Sequence, residues 1–284
     1  MNTLIKTVLS CALATTFALS AQASSGETMT SAAKATEQTL GARVGVAVID
    51  TRDNKTWSYK GDERFPMAST FKTLACAALL DSGKQGKLET ISKKDLEPYS
   101  PVTKELVGQT VPASELCAAT LRTSDNTAGN KVLDAVGGPK RVTDFLRRIG
   151  DDFTRLDRRE PDVNEGKPGD ERDTTTPAAM AATMQKLVLG DALGKANRKI
   201  LKDWLIADEV GGPLVRAGIP HDWKVADRTG AGGFGTRGVA AVIWPGERKP
   251  VIAVIYITQT SASMDDRNKA IAAIARAIAK DIGE

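Results

Sequence analysis

Residues 239–258 read VAAVIWPGERKPVIAVIYIT, two β-rich apolar runs, Val239 to Trp244 and Val251 to Thr258, either side of the turn Pro245-Gly246-Glu247-Arg248. Branched and aromatic residues bounded by proline and glycine predict two antiparallel strands. A shorter strand is expected just upstream, from Lys224 to Asp227. Near the other end of the chain, Val44, Val46 and Val48 alternate with small residues and again read as a strand. Asp53-Asn54 then turns the chain, and Trp57 to Lys60 is its hairpin partner. Between these two strand regions the period changes to that of helices. Thr70 to Leu80 is a continuous run rich in Ala and Leu. Ser114 to Leu121, Lys131 to Val136 and Val142 to Ile149 follow. Thr176-Pro177 is an N-cap with proline at the first helical position, opening a helix over Ala178 to Leu189. Ala196 to Ile206 is another. A last helix starts near Ser263, with Ile271, Ile274 and Ile278 on one apolar stripe. This order predicts an α/β plus all-α fold, an antiparallel sheet with flanking helices from both chain ends and a helical lobe inserted between them. The expected division is 24–61 with 207–284 for the α/β part and 62–206 for the helical part, with a cleft between the lobes as the site.

The chain has 284 residues, 41% of them hydrophobic and 26% charged, which excludes disorder and low complexity. The net charge is +4, but basic and acidic residues are interspersed and no basic stripe is interleaved with aromatics. Nucleic-acid binding is therefore not expected. Residues 1–23 read as an export signal: Lys6, then an apolar stretch from Val8 to Leu19 too short for a stable span, then the small-x-small site Ala21-Gln22-Ala23. The mature chain is expected to begin near Ser24, as a soluble monomer with no membrane segment, secreted to the periplasm of a Gram-negative bacterium. Lipidation at Cys11 is the lesser alternative, because few apolar residues precede it. Of the three cysteines, Cys76 and Cys117 then remain. An oxidising compartment permits them to pair, and two buried free thiols are the competing reading. Without a Cys-x-x-Cys and with one histidine, neither a metal site nor a cofactor is expected.

The candidate nucleophile is Ser69 in Ser69-Thr70-Phe71-Lys72. The spacing puts Ser69 and Lys72 one turn apart on one helix face, and a lysine desolvated there could accept the serine proton. A serine cap beside a snorkelling lysine is the bland alternative. The lone histidine, His221, has no G-x-S-x-G serine to serve, so it reads as a surface residue. Ser124-Asp125-Asn126 sits where one helix ends and the next begins, a place where Ser, Asp and Asn also act simply as caps. Arg228-Thr229-Gly230 follows a strand, and glycine there lets a ligand approach the backbone. Gly230 to Gly235 matches G-x-G-x-x-G, but a strand rather than a helix follows, so no dinucleotide site is expected.

Taken in order, these three motifs resemble the S-x-x-K, S-D-N and K-T-G signature of class A β-lactamases and penicillin-binding proteins. Glu160 and Asn164, in Arg158-Arg159-Glu160-Pro161-Asp162-Val163-Asn164, resemble the class A E-x-x-x-N loop motif. The resemblance runs from about Val44 to the C-terminal helix and implies a β-lactamase/transpeptidase-like fold. The third motif opens with Arg228 where most members have lysine, as in the carbenicillin-hydrolysing subgroup.

What the resemblance implies is a serine hydrolase of small β-lactam substrates. Ser69 would attack the lactam carbonyl, with the backbone N–H groups of Ser69 and Ala231 as the oxyanion hole. Glu160 and Asn164 would hold the water that releases the acid, and either Lys72 or Glu160 would take the serine proton. Ser124 would pass a proton to the leaving nitrogen. Asn126 would bind the side-chain amide, Arg228, Thr229, Gly230 and Arg237 the ring carboxylate, and Tyr99 would wall the cleft mouth. Arg158 to Asp173 would be the Ω-loop, closed by those two residues as an ion pair, with a cis Glu160-Pro161 bond. A D-alanyl-D-alanine peptidase would share Ser69, Lys72 and Ser124 but usually lacks the loop glutamate. A β-lactam sensor domain that stays acylated would need a membrane-spanning partner segment.

Overall fold

In the computed structural model residues 26–283 are described, so the expected export signal lies outside them. The chain opens with α1 (Glu27–Leu40), β1 (Arg43–Asp50), β2 (Lys55–Tyr59) and the short β3 (Phe65–Pro66). The helical part follows: α2 (Phe71–Asp81), the small hairpin β4 (Leu88–Thr90) and β5 (Thr110–Pro112), α3 (Ala113–Thr123), α4 (Asn126–Val136) and α5 (Pro139–Arg148). After β6 (Thr174–Thr175), which pairs with β3, come α6 (Pro177–Val188) and α7 (Lys195–Ile206). The chain closes with β7 (Lys224–Ala231), β8 (Arg237–Trp244), β9 (Val251–Thr258) and α8 (Met264–Asp281).

The principal sheet has the order β2-β1-β9-β8-β7, antiparallel throughout. β8 and β9 form the hairpin read from the sequence, with Ile243 opposite Val251 and Arg237 opposite Ile257. Every residue of β9 is buried. The reason is that the sheet is covered on both faces. Val44, Val46, Val48, Ile255 and Ile257 pack with Ile271, Ile274 and Ile278 of α8, while Val242, Val254 and Tyr256 join Phe65, Phe71, Met180 and Met184 in a second core. A strand buried on both sides has no polar face, which is why these runs are continuously apolar rather than alternating.

α2 is the central helix of the second core, buried from Phe71 to Leu80. Cys76 on α2 and Cys117 on α3 are disulfide-bonded, their Cα atoms 5.6 Å apart. Sequence reading left out α1, whose composition is largely small and polar. Its inward residues are only Met29, Ala33 and Thr36, and α8 helps fix it through Asp281, whose carboxylate accepts from the N–H groups of Thr28 and Met29. Two expected boundaries also move. α4 begins at Asn126 rather than Lys131, and β7 runs through Ala231, so Arg228 lies inside the strand rather than beyond its end. β7 continues because it pairs with β8 along its whole length.

Thiol titration of the denatured, unreduced protein should find neither Cys76 nor Cys117 free. Cys117→Ala should lower unfolding stability by about 2–4 kcal/mol in a denaturant titration, because the bond closes a long loop in the unfolded chain.

Candidate active site

Ser69 lies on a turn of 3-10 helix, Ala68–Thr70, that leads into α2. The preceding Ala68 has φ 43°, a left-handed conformation that a non-glycine residue adopts only under constraint from its surroundings. Part of that constraint comes from β7, which crosses against this turn. A Cβ on Gly230 would stand 2.7 Å from the carbonyl oxygen of Met67 and 3.3 Å from the nitrogen of Ser69. Only glycine lets the strand lie this close to the backbone of Ser69.

One helical turn on, Lys72 is fully buried. Its Nζ donates to the Ser124 carbonyl (2.8 Å), to Asn126 Oδ1 (2.7 Å) and to Ser124 Oγ (3.3 Å), and pairs with Glu160 Oε1 at 3.0 Å. The same Oε1 accepts from Ser69 Oγ at 3.3 Å. Burial pushes the Lys72 ammonium down to about 8; the Glu160 carboxylate opposes that shift, and the nearby Arg228 adds to it. Glu160 Oε2 accepts from Asn164 Nδ2, while Asn164 Oδ1 is buried without a protein partner.

The second motif is a bend between helices. Ser124 closes α3 in the left-handed region (φ 67°), and Asp125 caps α4 by accepting from Ala128 N. Asp125 does more than cap. Its fully buried carboxylate also accepts from Val102 N, Thr103 N and Thr103 Oγ1, at 2.8–2.9 Å, and so ties the loop carrying Tyr99 to α4. Asn126 Nδ2 donates to Pro98 O, and Tyr99 (φ 62°) stands 59% exposed at the mouth.

The Ω-loop segment is closed as the resemblance implies. Arg158 Nε meets Asp173 Oδ2 at 2.5 Å, and Asp173 Oδ1 accepts the N–H groups of Asp157 and Arg158. The Glu160-Pro161 bond is cis. Asn130, which the motifs did not single out, fixes the peptide groups around Glu160. It accepts from Glu160 N (3.0 Å) and donates to Glu160 O (2.9 Å). The signal was present: Asn130 lies four residues after Asn126, on the same face of α4.

Some of these groups border a cavity of about 420 Å³, lined by Ser69, Ser124, Asn126, Asn164, Ala231 and others. Tyr99, Thr229, Gly230 and Arg237 also line it. Arg237 is held by Asn268 Oδ1 (2.8 Å) and the Gly230 carbonyl (3.2 Å), and desolvation, reinforced by Arg228 and Arg267, pushes its guanidinium down to about 10. Arg228 is placed differently from the expectation of a direct carboxylate contact. Its side chain is fully buried behind the cleft and is not part of the lining. Its Nη1 donates to the Leu121 carbonyl (3.0 Å) and reaches Asp208 Oδ1 at 3.5 Å. Asp208 and Asp227 are both buried, Asp227 paired with Arg216 at 2.6 Å, and burial pushes both carboxyl groups up while the arginines oppose it. His221 is exposed and outside the cleft. Among the described residues no cluster of metal-ligating side chains is found.

The profile of the β-lactamase enzyme family matches residues 28–282. The chain is 53% identical to β-lactamase PSE-4 and to β-lactamase CARB-3 of Pseudomonas aeruginosa, over 86% of this chain and 87% of each relative. It superposes on an ancestral (GNCA) class A β-lactamase with a TM-score of 0.86 at 49% identity, covering 89% of this chain and 99% of that one. A serine on a constrained turn, a buried lysine and a loop carboxylate thus meet in a chain whose sequence and fold both match, and the chain belongs to the class A β-lactamases.

Proposed function

We propose that this enzyme hydrolyses β-lactam antibiotics, penicillins including carbenicillin among them, through an acyl-enzyme on Ser69. The observation that carries the reading is the triangle of Ser69 Oγ, Lys72 Nζ and Glu160 Oε1, in which one carboxylate oxygen is within reach of both the hydroxyl and the amine. Ser69 Oγ attacks the lactam carbonyl carbon as its proton leaves to this Lys72–Glu160 pair. The oxyanion is met by the backbone N–H groups of Ser69 and Ala231. The C–N bond then breaks, and the nitrogen takes a proton from Ser124 Oγ, which is resupplied through Lys72 Nζ. In the second half, a water between Glu160 and the unpartnered Asn164 Oδ1 attacks the ester. Glu160 takes the water's proton, the acid leaves, and Ser69 regains its hydrogen.

Asn126 and Tyr99 are suited to the acylamino side of the substrate. Thr229, Gly230 and Arg237 are suited to the ring carboxylate. Arg228 acts through its field, since its charge lies behind Lys72 and Arg237 rather than in the cleft. The remaining expectations are kept as part of this reading: an exported, periplasmic monomer, with lobes divided at 24–61 with 207–284 and at 62–206. Glu160 in its Ω-loop favours the hydrolase over a D-alanyl-D-alanine peptidase or a sensor domain, and no metal or organic cofactor enters the reaction.

Three variants test this. Ser69→Ala should abolish turnover of benzylpenicillin with the fold retained. Glu160→Gln should slow deacylation by roughly 10²- to 10⁴-fold, the loss typical of a missing general base. Mass spectrometry should then find a penicillin adduct on Ser69; clearance of that adduct at the native rate would exclude Glu160 from the step. The same variant should change the titration of Lys72. In the native protein Lys72 is mainly the ammonium below about 8 and mainly the amine above it. Removing the carboxylate removes an influence that raises this value, so the midpoint seen by ¹⁵N NMR of Nζ should move to lower pH. Finally, Arg228→Lys should lower the carbenicillin-to-benzylpenicillin ratio of kcat/KM by about tenfold, equivalent to about 1.4 kcal/mol of transition-state stabilisation. An unchanged ratio would remove Arg228 from specificity.

A further inference from the structure

A second polar cavity, about 350 Å³, opens on the outer flank of the helical lobe, between α5, the residue ahead of β3 and the chain entering the Ω-loop. Four of its lining side chains are cations, Arg64, Lys140, Arg147 and Arg155, and one is a carboxylate, Asp157. They come from three separate segments, so their convergence is a product of the fold. Among the described residues Arg147 has no carboxylate partner, and the partners of Arg64 and Lys140 are distant or exposed. Arg147 is held by the carbonyl oxygens of Asp151 and Thr154, not by a carboxylate. Arg64 donates to the Phe153 carbonyl (2.9 Å) and Thr174 Oγ1 (3.1 Å), with Glu171 no nearer than 4.0 Å. Lys140 has only an exposed i,i+4 pair with Asp144, a weak attachment. Arg155 pairs with Asp157 at 2.7 Å.

The adjoining cavity across Arg64 shows the contrast. There Arg43 is neutralised by Glu63 at 2.8 Å, and Asp170 and Glu171 share the lining with Lys167. The flank cavity has four cations to one carboxylate in its lining, the adjoining one three to two. Guanidinium forks and an ammonium converging on one space match a tetrahedral oxyanion, which offers several acceptor oxygens at once.

We propose that the cavity bounded by Arg64, Lys140, Arg147 and Arg155 is a binding site for a dianionic phosphate group, separate from the catalytic cleft. Such a ligand would sit on the root of the Ω-loop. Arg155 N donates to Thr174 O at 3.0 Å, Asp157 accepts from Asp173 N at 3.0 Å, and Asp173 closes the loop with Arg158. Bridging Arg155 to Arg64 and α5 would hold both ends of the loop that presents Glu160. The proposal does not depend on the hydrolytic reading.

The test is thermal unfolding of the mature protein in inorganic pyrophosphate against sodium chloride at matched ionic strength, with ³¹P line broadening of the same samples. Pyrophosphate at saturating concentration should raise the midpoint by about 2–4 °C. Lys140→Gln, an exposed site, should keep the native fold and β-lactam turnover and lose most of that rise and of the broadening. Lys140→Gln combined with Arg155→Gln should lose all of both. Vesicles of phosphatidylcholine with phosphatidic acid distinguish a lipid headgroup from free phosphate: capture that pyrophosphate reverses identifies the headgroup, and pyrophosphate binding without capture identifies the free ion. No rise beyond the chloride control, an equal rise in the variants, or vesicle capture insensitive to pyrophosphate would overturn the site.

Discussion

Lys72 is a lysine with no exposed surface, placed on a helix whose surroundings are otherwise apolar. An ammonium in that position is sustainable only where its three N–H groups and its charge are all met. The partners come from three places: the Ser124 carbonyl at the end of α3, Asn126 Oδ1 at the start of α4, and Glu160 on the Ω-loop. The packing of the helical lobe and the placement of the loop are therefore conditions for one another. Neither can shift without leaving a buried charge unpaired.

The loop that brings Glu160 to this point is held independently at its root and just inside it. At the root, Arg158, Asp173 and Asp157 exchange charge and backbone hydrogen bonds. Two residues in from the root, which is where the second hold lies, Asn130 clips the peptide groups on both sides of Glu160. Two anchors fix position and direction together, and a general base must have both. The same economy appears at Ser69, where Gly230 permits β7 to press against the turn and the left-handed Ala68 aims the hydroxyl into the cleft.

Arg228 shows how a substitution in a motif can act at a distance. A guanidinium is larger than an ammonium and keeps its charge at any working pH. Here its Nη1 lies 3.5 Å from Asp208 Oδ1, and burial holds up the carboxyl groups of Asp208 and Asp227. Its charge stays behind the wall that carries Lys72 and the carboxylate end of the cleft. Its influence on the site is consequently one of field rather than of contact.

The sequence by itself determined the fold class, because the branched runs 239–244 and 251–258 about a proline-glycine turn read as a strand pair, and because a long helical stretch separates them from Val44 to Val48. It also offered Ser69, Lys72 and Glu160 through motifs that resemble those of the family, and it left Cys76 and Cys117 as a candidate pair in an oxidising compartment, which the structure joins. What it left out are relations between distant segments. α1 escaped notice because only Met29, Ala33 and Thr36 face inward, too few to make a stripe. Asn130 and the extra bonds of Asp125 matter through partners that lie far along the chain. Arg228 was expected at the ring carboxylate because it opens the third motif of the family that the chain resembles. Only the tertiary structure decided that its side chain turns away, since the direction of a long side chain is set by the groups packed around it and not by its place in a motif.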